Sequence, residues 1–550
     1  MKTKYIFLAA LSALALTSCK DFLDEHYLGS RQDKEQVAQT VDAIPERIDA
    51  SVTGMYAKLG DPYAYFGTSN NRADDMAYPA VALSLDLNSG DVVTIVSGYD
   101  WFSVASEYTD RTPNYANPRM RQGLLYNVIY ATVEVLASIP DDTENAELIA
   151  KRGQAKAIRA FAYLSLAPYY QFKYVGHEDD PSLPIMSDEN DPLNNPRASL
   201  KDLYAYILQD LTDAIEDLEG YKRPNKGIID QQVAYGLRAR AYLNMEEWAN
   251  AAADAEKAME GYTPYSAQEV SQPGFYNASD HNWIWAILIP QEKAGSAYAT
   301  WPSQLGSFSG QAYTAGTGVY RMINSLLYNK IPQSDVRRGW WINENMESPL
   351  LEGLAWKDDA EGVTYRGQEI VQAKIADVKE PFTQYTNVKF GQRSGVGSSY
   401  NDGDWCLMRA EEMILIIAEA KAKAGDLAAG KAVLEGFVQA NRDPEFVSKA
   451  GSVEAFSDEV LLQRRIELWG EGFAMGDRMR LGKNIVKFHP GDASTNVPET
   501  YRFNISADDR WLLMRFPQTE LNGNASLIQN EGGNQPVQGD GAGLLDGVTD

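Results

Sequence analysis

The sequence predicts a mainly α-helical protein, in which paired amphipathic helices form a scaffold and long aromatic loops with few short strands make up the rest. Three observations carry this. Small and apolar residues recur at three- and four-residue spacing over Gln231–Glu260 and again over Arg409–Asn441, the period of a helix with one buried face. Residues 60–118 and 262–404 lack any sustained helical period and are rich in Gly, Ser, Tyr and Trp; loops of that length in a compact protein are usually functional. Hydrophobic residues at 44% and aromatics at 11% supply a large core and exclude wholesale disorder.

At the N-terminus, Lys2 and Lys4 precede an apolar run of 12 residues, Tyr5–Leu16. That is a secretory leader, since about 20 apolar residues are needed to cross a bilayer. Leu16-Thr17-Ser18-Cys19 resembles the lipobox of bacterial lipoproteins, in which the cysteine becomes the acylated N-terminus. The competing reading is an ordinary secretory signal with an incidental Cys19. The lipobox reading divides the chain into a leader at 1–18, an acylated tether at 19–35 and a single domain at 36–550. Asp21, Asp24 and Glu25 resemble the acidic tag that directs some lipoproteins to the cell surface. The only other cysteine, Cys406, sits in Trp405-Cys406-Leu407-Met408 and reads as a buried, inert thiol. With 76 acidic against 50 basic residues and a net charge of −26, long-range repulsion argues against nucleic-acid and anionic-lipid partners.

The helices follow in order. Gln36–Leu59 is helical in pattern despite Pro45 and Gly54, and Arg119–Ile139 places Leu124, Ile129, Val133 and Leu136 on one side. Ala155–Gln171 and Ser199–Leu218 form a pair interrupted by the Pro-rich insertion His177–Arg197. In Gln231–Glu260 the turn is Asn244–Glu247, between helices carrying Ala234, Leu237, Ala241 and then Trp248, Ala251, Ala255, Ala258. This resembles a tetratricopeptide repeat, whose small residues let antiparallel helices approach closely. In the second copy Ala418, Leu427, Gly430, Leu434 and Phe437 match Ala239, Trp248, Ala251, Ala255 and Ala258, each pair 179 positions apart. The helical-repeat scaffold is thus placed at about 150–260 and 406–485, with loop-rich insertions at about 60–118 and 262–404.

Four landmarks in this order resemble the SusD/RagB family of outer-membrane nutrient-binding lipoproteins: the Ser18-Cys19-Lys20-Asp21-Phe22 start; Leu407-Met408-Arg409-Ala410-Glu411 leading to Ala418-Glu419-Ala420; Arg464-Arg465-Ile466-Glu467-Leu468 with Glu471-Gly472 and Asp477; and Phe516-Pro517-Gln518 with Gln529-Asn530. The chain departs from the family pattern at Ala474, Met475 and Glu531-Gly532, which are scaffold positions in the family. The resemblance implies a SusD-like fold with tetratricopeptide-like hairpins as scaffold. It also implies a lipid-anchored, surface-exposed place on the outer membrane, and a partner TonB-dependent, SusC-like transporter to which the protein hands oligomers. No cofactor and no catalytic residue is implied. The ligand is left open, because the loops vary freely between members.

A sugar ring offers a flat apolar face and a rim of hydroxyls, so a glycan site needs an aromatic platform flanked by carboxylate, amide or guanidinium groups. Asn70–Tyr78 (NNRADDMAY) and Tyr99-Asp100-Trp101-Phe102 supply such groups, in neighbourhoods where family members often bind. The candidates are Arg72 and Asp75 for hydrogen bonds and Trp101 for stacking; the competing reading has the aspartates capping a turn and Trp101 in the core. In Tyr298–Tyr320 the aromatics are set among Gly and Ser and cannot form a helical stripe, which places Trp301, Tyr313 and Tyr320 on loops as further ligand-binding candidates. Trp340 and Trp341 are neighbours whose side chains diverge, so at most one of them faces a ligand. Backbone-directed Asp, Asn and Arg groups suit an oligopeptide as well as an oligosaccharide.

Enzymatic signatures are missing. The four histidines, His26, His177, His281 and His489, are scattered singly, with no HExxH, CxxC or GxSxG. A glycoside hydrolase needs only two carboxylates, a requirement that spacing alone does not exclude. Gly425–Ala432 has the Walker A spacing but lacks its hydroxyl, falls at a turn between helices and follows no strand, so nucleotide binding is rejected. Asp86–Asp91 resembles a partial calcium loop without the terminal Glu and reads as a turn.

Overall fold

The computed structural model describes residues 34–187, 190–294, 298–310, 312–375, 378 and 380–550. The expected leader, Cys19 and nearly all of the expected tether lie outside them. α-Helices of seven or more residues are numbered in chain order.

The expected single helix over 36–59 is two, α1 (Lys34–Ala43) and α2 (Asp49–Gly60), joined by a 3₁₀ turn at Pro45–Ile48. Pro45 lacks an amide proton and disfavours helical backbone at the residue before it, so Ile44 lies at φ −140°, ψ 81°. Within the stretch expected to be loop lies α3 (Tyr78–Ser89), whose residues from Pro79 to Ser89 are all buried. A helix covered on every side has no polar face and therefore no readable period. Its polar residues have partners from elsewhere in the chain: one Asp86 oxygen accepts from the Gly472 amide at 2.8 Å, the other having no partner among the described residues, and Asn88 accepts from Arg111 at 2.7 Å. The calcium-like stretch Asp86–Asp91 is simply the end of this helix, closed by Gly90 at φ 81°.

The scaffold continues through α4 (Ala116–Ala137), α5 (Ala146–Leu164), α6 (Leu200–Asp217), α7 (Gln231–Asn244), α8 (Trp248–Met259), α9 (Ala410–Lys423), α10 (Leu427–Asn441), α11 (Val453–Glu467) and α12 (Ala474–Arg480). Helices α5 to α10 pack each on the next, although more than 140 residues separate α8 from α9 in the chain. The small residues responsible, Ala234, Ala241, Ala251, Ala255, Ala258 and Ala418, are fully buried. At Gly430 an added Cβ would lie 2.7 Å from the Ala418 carbonyl, so only glycine permits α9 and α10 to approach this closely. Gly425 turns the chain at φ 105° and Asp426 caps α10 through the Ala429 amide, which accounts for the Walker-like spacing.

Three antiparallel pairs tie the insertions down: β1 (Val92–Val93) with β3 (Met322–Ile323), β2 (Trp283–Ile287) with β6 (Trp405–Arg409), and the hairpin β4 (Ala355–Lys357) with β5 (Thr364–Arg366). The pairing Val92↔Ile323 is decisive, because it brings the 60–118 and 262–404 insertions to one place. Among the described residues the structure is mainly helical, with these few short strands, and no helix is long and apolar enough to cross a membrane.

The charged landmarks form a buried ionic frame. Glu467 receives Arg337, Arg409 and Arg442; Glu471 receives Arg409 and Lys389; Asp477 receives Arg464 and Arg480. Burial pushes the Glu467 carboxyl up, but the three guanidiniums outweigh it and hold it well below the usual range. Arg465 and Arg478 both grip Asp91 and Asp546, fastening the end of the chain to the foot of β1. Cys406 is buried and unpaired, as its apolar neighbours suggested.

Candidate functional site

Residues 61–77, between α2 and α3, form a tight loop in which Tyr63, Asn71 and Ala77 all take left-handed backbone, at φ 61°, 45° and 57°. Such conformations are costly for residues other than glycine and persist only when the surroundings impose them. Asp75 holds the Tyr63–Phe66 limb of the loop. Its carbonyl accepts from the Tyr63 amide at 2.7 Å, and its carboxylate accepts from the Tyr65 and Phe66 amides at 3.2 and 2.7 Å. Burial raises the Asp75 carboxyl above its ordinary range and the two amides oppose that shift.

The loop presents Arg72 between two rings, 5.3 Å from the centre of Phe66 and 5.1 Å from that of Trp101. Asp74, fully buried, receives Arg72 Nε and Nη2 at 3.0 and 2.7 Å. The fork is thereby fixed, while Nη1 has no hydrogen-bond partner among the described residues. Trp101 is half-buried beside Tyr99, which is 65% exposed. The Trp101 backbone is held from below by a strut: Arg321 donates to both oxygens of the buried Asp100 at 2.9 Å, and Asp100 also accepts from the Phe102 amide and the Thr94 hydroxyl. Since Arg321 adjoins β3, this strut locks the second insertion against the first.

The second insertion supplies Tyr298, 44% exposed, packed edge-on to half-buried Tyr313 at 5.8 Å. Gln304 ties them to the first loop by donating to the carbonyls of Ala73 and Tyr298, both at 3.2 Å. The Tyr63 hydroxyl faces the Tyr298–Ala299 backbone, which opposes the rise that burial imposes on it. Phe66, Arg72 and Trp101 thus sit together with exposed Tyr99 beside them in the chain, and Tyr298 with Tyr313 is tied to the same loop through Gln304, with Tyr63 at the join; these residues make up the candidate aromatic face.

The structure thus brings Arg72, Trp101 and Tyr313 together at a partly exposed surface. It corrects three expectations. Asp75 is fully buried and organises the loop instead of facing a ligand. Trp301 is buried, donating Nε1 to the Gly403 carbonyl at 2.9 Å and packing edge-on against Trp405 and Phe390. Tyr320 is buried, stacked on Phe382 at 4.8 Å, with its hydroxyl bonded to the Glu380 carbonyl. Trp340 and Trp341 are both fully buried. Sequence reasoning missed Tyr63, Phe66 and Tyr298; the signal was the run Asp61-Pro-Tyr-Ala-Tyr-Phe-Gly67, three aromatics at the tip of a proline- and glycine-bounded loop. A cavity of about 100 Å³ beneath α5 and β6 is interior packing, its Arg240 and Glu412 closed on each other at 2.7 Å. No group of three or more His, Cys, Asp or Glu able to hold a metal occurs among the described residues.

Two family profiles match the chain: one described as the SusD family, over residues 330–532, and one described as starch-binding and associating with the outer membrane, over residues 22–243. The chain belongs to the SusD-like family. Solved SusD-like structures share its fold. A SusD-like carbohydrate binding protein from Bacteroides vulgatus is 22% identical, with 88% of this chain and 97% of that one covered at a TM-score of 0.69. A SusD superfamily protein from Bacteroides thetaiotaomicron is 21% identical, with 88% and 99% covered at 0.65. A laminarin binding SusD-like protein is 17% identical, with 88% and 99% covered at 0.59. A search among curated proteins finds no match. In this SusD-like chain the Arg-Arg-Ile-Glu-Leu landmark belongs to the ionic frame, and the departures Ala474 and Met475 are buried in α12, away from the aromatic face.

Proposed function

We propose that this SusD-like protein is a lipid-anchored, surface-exposed protein of the outer membrane. In this reading it captures an oligomeric glycan on the aromatic face and delivers it, untransformed, to a partner TonB-dependent, SusC-like transporter. The observation that carries the reading is Arg72, held between Phe66 and Trp101 with one nitrogen unspent. Rings that can stack on a sugar face lie beside a fixed donor for its hydroxyls, on an open surface that an oligomer can cross. The carbohydrate- and laminarin-binding relatives favour a glycan over a peptide. The carboxylates of the loops that form the face are occupied, Asp74 by Arg72, Asp75 by backbone amides and Asp100 by Arg321; none of the three stands free as a general acid or base, which favours binding over hydrolysis. Capture should be reversible and modest, since a carrier that releases its cargo cannot hold it too tightly.

The test is isothermal titration of the full chain against a panel of polysaccharides and a mixed oligopeptide digest, with an Arg72→Ala, Trp101→Ala variant alongside. Glycan heat that disappears in the variant is the expected result. Heat from the peptide digest alone would overturn the glycan reading and leave a peptide carrier.

A further inference from the structure

Apart from the aromatic face, an open cavity of about 390 Å³ lies between the 3₁₀ turn Val336–Trp340 and the loop leading to Pro349. Arg338 forms its floor. The guanidinium lies 4.1 Å from the centre of the Tyr328 ring, and Nη1 donates to the Tyr328 and Ile331 carbonyls at 3.2 and 2.8 Å. Nη2 is left 4.0 Å from a carboxylate oxygen of Glu344, beyond hydrogen-bond distance. Glu344 is about half exposed and is steadied by the Tyr385 hydroxyl, which donates to it at 3.3 Å. The side chains of Ser334 and Asn345 line the same cavity and have no hydrogen-bond partner among the described residues. Met346 and Tyr385, on either side of Glu344, take left-handed backbone at φ 61° and 65°, the kind of strain that collects at binding loops.

We propose that this cavity is a second carbohydrate subsite that takes one neutral pyranose unit. The inference rests on the glycan reading given above for the cargo. The 4.0 Å gap is too wide for a hydrogen bond, yet one oxygen can sit within reach of both partners. A ring hydroxyl there accepts from Arg338 Nη2 and donates to Glu344, and its neighbour meets Ser334 or Asn345. Donors and acceptors in balance suit hydroxyls, which are both. Glu344 and Glu347 against the one guanidinium leave an excess of negative charge, which disfavours uronate, sulfate and phosphate groups. An oligomer engaged at both places gains by effective concentration what each weak contact lacks.

The test is hydrogen exchange of the full chain with neutral methyl glycosides (gluco, galacto, manno and xylo) and with methyl glucuronoside. A neutral glycoside is expected to protect residues 333–349 in the wild type and equally in the Arg72→Ala, Trp101→Ala variant. In Glu344→Gln its affinity should fall about tenfold, the loss of one charge-assisted hydrogen bond. The Glu344 side chain is half in solvent, so this variant should melt as the wild type does. No protection of 333–349 by any neutral glycoside, protection indifferent to Glu344→Gln, or protection by the glucuronoside alone would overturn the subsite. Protection confined to the 61–77 and 99–102 loops would also overturn it while upholding the aromatic face. Protection of 333–349 with none at those loops would uphold the subsite and overturn the main site.

Discussion

Arg321→Met isolates the strut beneath Trp101. Arg321 and Asp100 are both buried, joined by two hydrogen bonds of 2.9 Å. Arg321 also donates to the Gln304 carbonyl at 2.9 Å and to the Thr94 hydroxyl at 2.7 Å. Removing the guanidinium strands the Asp100 carboxylate with one amide and one hydroxyl as donors, and breaking a buried pair in this way costs about 3–5 kcal/mol. Replacing both partners, as in Asp100→Leu with Arg321→Met, removes the stranded charge as well, so stability should return to within about 1–2 kcal/mol of wild type. Ligand affinity should not return, because the Phe102 amide has lost its acceptor and nothing then fixes the Trp101 ring against Arg72. Urea unfolding followed by tryptophan fluorescence gives the stabilities, and titration with the bound glycan gives the affinities. A single-variant loss below about 1 kcal/mol, or a double variant that binds as tightly as wild type, would refute the strut.

Other expectations follow from the same geometry. Trp301→Ala should cost about 3–5 kcal/mol in urea unfolding as a large buried side chain, whereas Trp101→Ala should leave stability nearly unchanged and weaken glycan binding about tenfold or more in titration. Asp75→Ala should destabilise by about 2–4 kcal/mol, because two loop amides lose a charged acceptor, and should raise hydrogen exchange in residues 61–77. Burial lowers the Lys487 ammonium to about pH 7, below its unfolded value near 10.4. The native state then holds fewer protons than the unfolded chain above pH 7, so stability should rise by about 2–3 kcal/mol from pH 7 to 9, and Lys487→Met should abolish the rise. The guanidiniums of Arg465 and Arg478 outweigh burial and hold the Asp546 carboxyl below the usual range, so its contribution is present above pH 4 and is lost in acid; Asp546→Asn should lower stability at pH 7 and flatten the acid limb.

The helical scaffold was legible because its signal is local. A small residue three or four positions from the next occupies one helix face wherever the chain goes, and Ala251, Ala255 and Ala258 could have no other use. Pro45 carried a local break signal, but the pattern on either side of it suggested continuity, so one helix was expected where the structure has two. Helix α3 was not legible: buried on every side, it shows apolar content without periodicity, and only distant partners, the Gly472 amide for Asp86 and Arg111, Asp110 and the Ala105 carbonyl for Asn88, make those residues tolerable inside. In the loops, composition showed that aromatics and Arg72 were concentrated there, but not which way they point. Trp301 faces inward because the Gly403 carbonyl lies in reach of its indole nitrogen, and Tyr320 because the Glu380 carbonyl lies in reach of its hydroxyl. Those partners are 102 and 60 positions away, and no short-range pattern encodes them.

The sequence alone therefore determined the class of scaffold, the family and the two neighbourhoods from which the aromatic face is drawn, since each rests on residues close together in the chain. Only the tertiary structure decided that the Val92–Ile323 pairing and the Asp100–Arg321 strut join those neighbourhoods. It also turned Tyr298 outward, buried Trp301 and Tyr320, and made Asp75 a fastening for the loop. The physical reason is that burial of a loop side chain depends on whatever the folded chain brings against it from far away, and that is a property of the whole packing.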